Sequence, residues 1–98
     1  MQAKVLNLSY NVVFELCREA IHKSNFKVKC MDSDEGHIVC FSRDLIEIER
    51  IIIIRIKELS AHQVEVEVES RYAGREYIAT YERVDEKVFI KHLSMIFK

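Results

Sequence analysis

Proline is missing from this chain altogether, and glycine occurs only twice, at Gly36 and Gly74. That leaves no linker, no low-complexity segment and no glycine-rich loop to cradle a phosphate, so the 98 residues read as nearly continuous regular structure. No uninterrupted apolar run is longer than the four residues Ile51 to Ile54, whereas a membrane-spanning helix needs about 20. Neither sign of charge is in excess, with 15 Lys and Arg against 16 Asp and Glu. A protein that works by gripping phosphates usually carries a basic surplus, so nucleic acid is disfavoured as a partner. The three cysteines, Cys17, Cys30 and Cys40, are too few and odd in number for a disulfide framework. The opening residues hold no clean apolar stretch of a signal peptide, because Asn7, Asn11, Glu15 and Arg18 interrupt it. Reduced thiols and the absence of a leader together lead to the expectation of a cytoplasmic protein.

What is present is a globular balance: 49% hydrophobic and 32% charged residues in one domain-sized chain, residues 1–98, long enough for a single core. "AKVLNL" at 3–8 predicts a short first strand with Val5 on one face and Leu6 and Leu8 on the other. Ser9 then stands as the N-cap of a helix over Tyr10 to Ser24, whose stripe is Val13, Leu16, Cys17, Ala20 and Ile21 at helical spacing, with Asn25 as a left-handed stop. "FKVKCMDSDEGHIVCFS" is a hairpin closed with the help of Gly36. A three-residue loop Asp34-Glu35-Gly36 sets Cys30 opposite Cys40, a four-residue loop from Ser33 sets it opposite Val39, and the shorter loop with a glycine bulge is favoured. "REYIATYER" predicts a further strand with Tyr77, Ala79 and Tyr81 on one face, and Asp85 an N-cap for a last helix carrying Phe89, Leu93, Ile96 and Phe97.

The densest apolar segment is "IEIERIIIIRIKEL", 46–59. Its even positions, Ile46, Ile48, Ile52, Ile54 and Ile56, form one strand face broken only by Arg50, while the odd positions read Glu47, Glu49, Ile51, Ile53, Arg55 and Lys57. "QVEVEVES" follows with Val64, Val66 and Val68 alternating with Glu65, Glu67 and Glu69. A loop Leu59-Ser60-Ala61 pairs Ile56 with Val64, Ile54 with Val66 and Ile52 with Val68, and sets Arg55 opposite Glu65. Ile51 and Ile53 are then left on the second face, joined by Val39 or Phe41 from the neighbouring hairpin. Either that face is covered within the monomer, for instance by the C-terminal helix, or it is an apolar patch for a homodimer or another protein partner. The element order β-α-β-β-β-β-β-α implies an α+β fold, a two-layer domain with two helices packed on one face of an antiparallel sheet.

Chemistry-bearing residues do not assemble into a motif. Cys30, His37 and Cys40 share one hairpin but lack the second close pair that zinc prefers, so no metal or other cofactor is implied. His22, His37, His62 and His92 are scattered and read as surface histidines, and Cys17 as a core residue. An enzyme built on a Cys and His pair is the third reading, with no catalytic residue to name. The Glu65, Glu67 and Glu69 row reads as a solvated face with cross-strand ion pairs. "SRYAGREY" and "FKVK" interleave basic and aromatic residues too sparsely to define a nucleic-acid surface.

Residues 17–39, "CREAIHKSNFKVKCMDSDEGHIV", run from a helix end through an aromatic and an alternating strand to Asp, Gly and Ile. In this cadence the chain resembles small bacterial α+β domains, including the C-terminal lobes of the outer-membrane assembly lipoprotein BamC and lipoprotein domains of unknown function. It departs from them in lacking a signal peptide and lipobox. The resemblance implies helices gripping a curved antiparallel sheet and a role in binding or assembly, without functional residues to carry over. The function expected first is therefore a non-enzymatic binding or assembly module using Ile51, Ile53, Val39 and Phe41 as its interface. The alternative is a small-molecule or lipid-binding domain with a cavity between sheet and helices, lined by Val13, Ile52, Ile54, Val66 and Phe89.

Overall fold

The computed structural model describes residues 2–43, 49–72 and 79–97. Its elements run β1 (Gln2–Leu6), α1 (Tyr10–Lys23), β2 (Lys27–Asp32), β3 (His37–Arg43), β4 (Glu49–Ser60), β5 (Gln63–Tyr72) and α2 (Ala79–Phe97). The strands form one antiparallel sheet ordered β1-β5-β4-β3-β2, in which β2 to β5 are a meander and β1 closes against the far side of β5. With both helices on one sheet face, the fold is the expected α+β two-layer type. The strand expected over 75–83 is not among these elements: residues 75–78 lie outside the described residues, and from Ala79 onward the backbone is helical. Asp85 accordingly sits within α2 and is not its N-cap. The alternation of Tyr77, Ala79 and Tyr81 suggested a strand, but alternation over so few residues is weak evidence against a helix that packs as one piece.

Helix α1 forms as its spacing predicts, burying Val13, Phe14, Cys17, Ala20 and Ile21, while Leu16 is only partly buried. Ser9 occupies the N-cap in extended conformation (φ −74°, ψ 157°), but its side chain makes no capping bond. The C-terminus is better tied. Asn25 takes φ +60°, its N–H donates to the His22 carbonyl at 3.1 Å, and the Phe26 N–H donates to the Ile21 carbonyl at 3.1 Å. This is a Schellman ending, with Phe26 buried behind it.

The core is a single cluster between the layers. The even residues of β4 and β5, namely Ile52, Ile54, Ile56, Val64, Val66 and Val68, meet Leu6, Ile38, Cys40, the α1 stripe, Phe89 and Leu93. Full burial of side chains of this size contributes about 1.5–3 kcal/mol each, which is what holds the helices to this face.

Two hairpin registers differ from expectation. In β2–β3 the loop is the four residues Ser33 to Gly36, so Cys30 pairs with Val39 and not with Cys40, and a bulge at Lys29 restores Val28 opposite Cys40. The Asp32 carboxylate accepts from the N–H groups of Asp34 (3.0 Å) and Glu35 (3.1 Å), an Asx-type contact that holds the observed four-residue turn. In β4–β5 the tip is Ala61-His62 with an irregularity at Leu59, giving Ile56↔Val66, Ile54↔Val68 and Arg55↔Glu67. The shift from the expected pairing is two residues, an even number, so every side chain keeps its face.

Candidate interaction surface

Because the helices take the even face of the sheet, its odd face is the outer one. The register arranges that face in rows running across the strands. One row is Lys27, Phe41, Ile51 and Arg71, and the next is Cys30, Val39, Ile53 and Glu69. A third is Asp32, His37, Arg55, Glu67 and Ala3. The four residues expected at an interface thus stand together, Val39 opposite Ile53 and Phe41 opposite Ile51, as a two-by-two block on the neighbouring strands β3 and β4. All four are half-buried. The expectation that the C-terminal helix covers them fails, because Phe89 and Leu93 anchor α2 in the core on the other side of the sheet. Among the described residues, no helix lies over this block.

Charged side chains border the block. Arg55 Nη2 reaches Glu69 Oε1 at 2.9 Å, and its Nη1 lies 3.8 Å from Glu67 Oε2. Arg71 Nε donates to the other Glu69 oxygen at 2.8 Å. The hydrogen bond from Arg71, then that from Arg55, holds the Glu69 carboxyl below the usual range. Arg55 therefore serves Glu69 and Glu67, where the sequence pairing had pointed to Glu65; Glu65 stands opposite Lys57.

Sequence reasoning missed a polar cluster on the inner face. Arg50, which had looked like a mere break in the isoleucine stripe, is 7% exposed, and its guanidinium grips Asp85 in two-pronged fashion, Nε to Oδ2 at 2.5 Å and Nη2 to Oδ1 at 3.3 Å. Nη2 also lies 3.2 Å from Ser42 Oγ. Beside it the buried Glu86 accepts the Ser70 N–H at 2.9 Å, while Ser70 Oγ has no partner among the described residues. The available signal was the pairing of one charge inside an apolar strand face with acids on the apolar side of a helix 35 residues later.

The remaining candidates are dispersed. Cys40 is buried, and its thiol donates to the Ile52 carbonyl at 3.6 Å. Burial, with the Asp85 charge second, pushes it up to about 12. Cys17 is likewise buried and pushed up to about 12 by burial. Cys30 is exposed on the outer face with His37, so the Cys30, His37 and Cys40 trio is split between two faces. His22 and His62 are exposed and His92 half-buried, each on a different element or turn. Val13, Ile52, Ile54, Val66 and Phe89, the candidate cavity lining, are all 0% exposed within the core cluster. A cleft of about 950 Å³ lies elsewhere, where Tyr10, Phe14, Asp34 and Glu58 meet between α1 and the β2–β3 turn. The Tyr10 hydroxyl there donates to the Ser33 carbonyl at 2.5 Å, and burial followed by the Asp32 and Asp34 charges raises its pKa. No helix among the described residues is long and apolar enough to cross a membrane. The chain matches no protein-family model and no curated protein.

Proposed function

We propose that this chain is a non-enzymatic binding or assembly module that meets a protein partner through the outer sheet face, with Ile51, Ile53, Val39 and Phe41 at the centre. The observation that carries this reading is the two-by-two apolar block on strands whose other face already supplies the core. A sheet layered by helices on one side ordinarily turns polar side chains to water on the other. Four apolar side chains bordered by Lys27, Arg71, Glu69 and Arg55, with Cys30 beside Val39, have the arrangement of an interface, an apolar centre inside a largely charged rim. Two of the three thiols are buried and far from ionisation at neutral pH, which favours a binding role over cysteine catalysis. Free cysteines suit a reducing compartment, and we place the protein in the cytoplasm on that ground.

The test compares the wild type with Ile51→Lys/Ile53→Lys, following binding of an apolar fluorescent dye and solution mass across a wide concentration range. The reading expects the wild type to bind dye or self-associate and the folded double variant to lose that behaviour. Unchanged dye binding and mass in the variant would overturn it.

A further inference from the structure

Resting on that reading of the outer face, we infer that its occupant is a second copy of this chain, stacked face to face about a two-fold axis that runs across the strands between the Phe41–Ile51 and Val39–Ile53 rows.

At about 3.3 Å along a strand and 4.8 Å between strands for each residue, the five strands present roughly 600 Å² of plane. A stable interface takes about 600–1,000 Å² from each partner, so the apolar block alone is too small and the charged residues beside it must enter the contact. Their pattern then selects among the ways two identical sheets can stack. With an axis parallel to the strands, each row would lie on itself reversed. Phe41 would cover Ile51 of the second copy, but Lys27 would face Arg71 and Asp32 would face Glu67, like charges at both borders. An axis along the Val39–Ile53 row itself would place Glu69 on Glu69 and Ile51 against Arg55.

The axis between the two rows avoids each of these conflicts. Each strand then lies antiparallel on its own copy. Phe41 covers Val39 of the second copy, Ile51 covers Ile53, and Arg71 meets Glu69, with the same three contacts repeated by symmetry. The Arg71 side chain is 62% exposed, and its contact with Glu69 within the chain already brings the two charges together at this border. Two sheets stacked in this way sit about 10 Å apart, a spacing that large apolar side chains from both sides fill. A closed two-fold contact also uses up the patch, leaving no sticky surface to propagate a fibre.

The experiment uses sedimentation of the full chain in three forms: wild type, Arg71→Glu and Glu69→Arg, each checked for folding by circular dichroism. The expected result is a wild-type dimer whose dissociation constant rises about tenfold or more in either variant, with dimer restored when the two variants are mixed. Mixing isolates the intermolecular contact, because within each variant the internal pairing of positions 69 and 71 stays broken. Tighter association of Arg71→Glu would overturn the proposed axis in favour of the parallel one, since the substitution would then relieve the clash with Lys27. No restoration on mixing also overturns it. A dimer dispersed by Ile51→Lys/Ile53→Lys but indifferent to the charge variants would remove the axis and leave the apolar face as the binding surface. A wild type that is monomeric at every concentration yet binds dye at the block would overturn the second copy as occupant and leave the face for another protein. Dimerisation untouched by the isoleucine variant would overturn both readings.

Discussion

Gly36 is the residue on which the β2–β3 hairpin turns. Its φ is +65°, a Cβ there would collide with the Ile56 carbonyl oxygen, and its own carbonyl accepts the Ile56 N–H at 2.7 Å. The obstacle is backbone, which cannot rotate aside, and the left-handed conformation adds its own cost for any side chain. Gly36→Ala is expected to lower stability by roughly 2–4 kcal/mol, read by denaturant unfolding. Asn25 offers the contrasting case, a left-handed position with a tolerated side chain. Asn25→Gly should leave the midpoint unchanged or raise it slightly, whereas Asn25→Val should cost about 1–2 kcal/mol because a β-branched residue resists that conformation. Both positions were legible in the sequence, since Gly between polar turn residues and Asn after a cationic helix end are chemical signals that act locally. Ser9 was legible only in part: the residue stands at the cap, and its hydroxyl does not cap.

Among elements, the strand faces could be read and their exact pairings could not. Alternation of Ile and Val with Glu fixes which side of β4 and β5 is core, but local irregularities at Lys29 and Leu59 set the registers, and no side-chain period records a bulge. The start of α2 and the Arg50–Asp85 pair were hidden for a related reason, since both depend on partners far along the chain. That ion pair fastens the first half of α2 to β4, beside the contact of Glu86 with the Ser70 N–H. Removing one member leaves a buried charge without its main partner, so Asp85→Ala is expected to cost about 3–5 kcal/mol. The apolar double variant Arg50→Met/Asp85→Leu should be less damaging than that single change, and a double-mutant cycle in urea would reveal the coupling. Burial also separates the thiols by element. Cys30 on β2 should react promptly with a thiol reagent, and Cys17 on α1 and Cys40 on β3 only as the protein unfolds. Their folded pKa values of about 12 lie above the ordinary value of 9.0, so the folded state binds protons more tightly. Their contribution to stability is therefore complete below pH 9.0 and is lost as pH rises toward about 12, a decline that alkaline unfolding curves would follow.

At the scale of the whole molecule, the sheet carries two apolar faces of different rank. The inner one is continuous from Leu6 on β1 to Ile38 and Cys40 on β3 and is sealed by both helices. The outer one is a block of four half-buried residues bordered by charges, with no helix over it among the described residues. Periodicity could show that Ile51 and Ile53 point away from the core. It could not show which side the C-terminal helix would take, because that choice depends on where Phe89 and Leu93 find the larger apolar area. The difference in rank makes a paired substitution decisive. Ile51→Lys/Ile53→Lys places two charges where solvent already reaches, and the melting temperature should move by only a few degrees. Ile52→Lys/Ile54→Lys, one residue along the same strand, buries two unpaired ammonium groups at positions that are 0% exposed and should abolish the cooperative transition. A thermal melt of the two variants side by side measures this directly. If the outer pair unfolds the protein as thoroughly as the inner pair, Ile51 and Ile53 belong to a covered core and cannot be a surface for any partner.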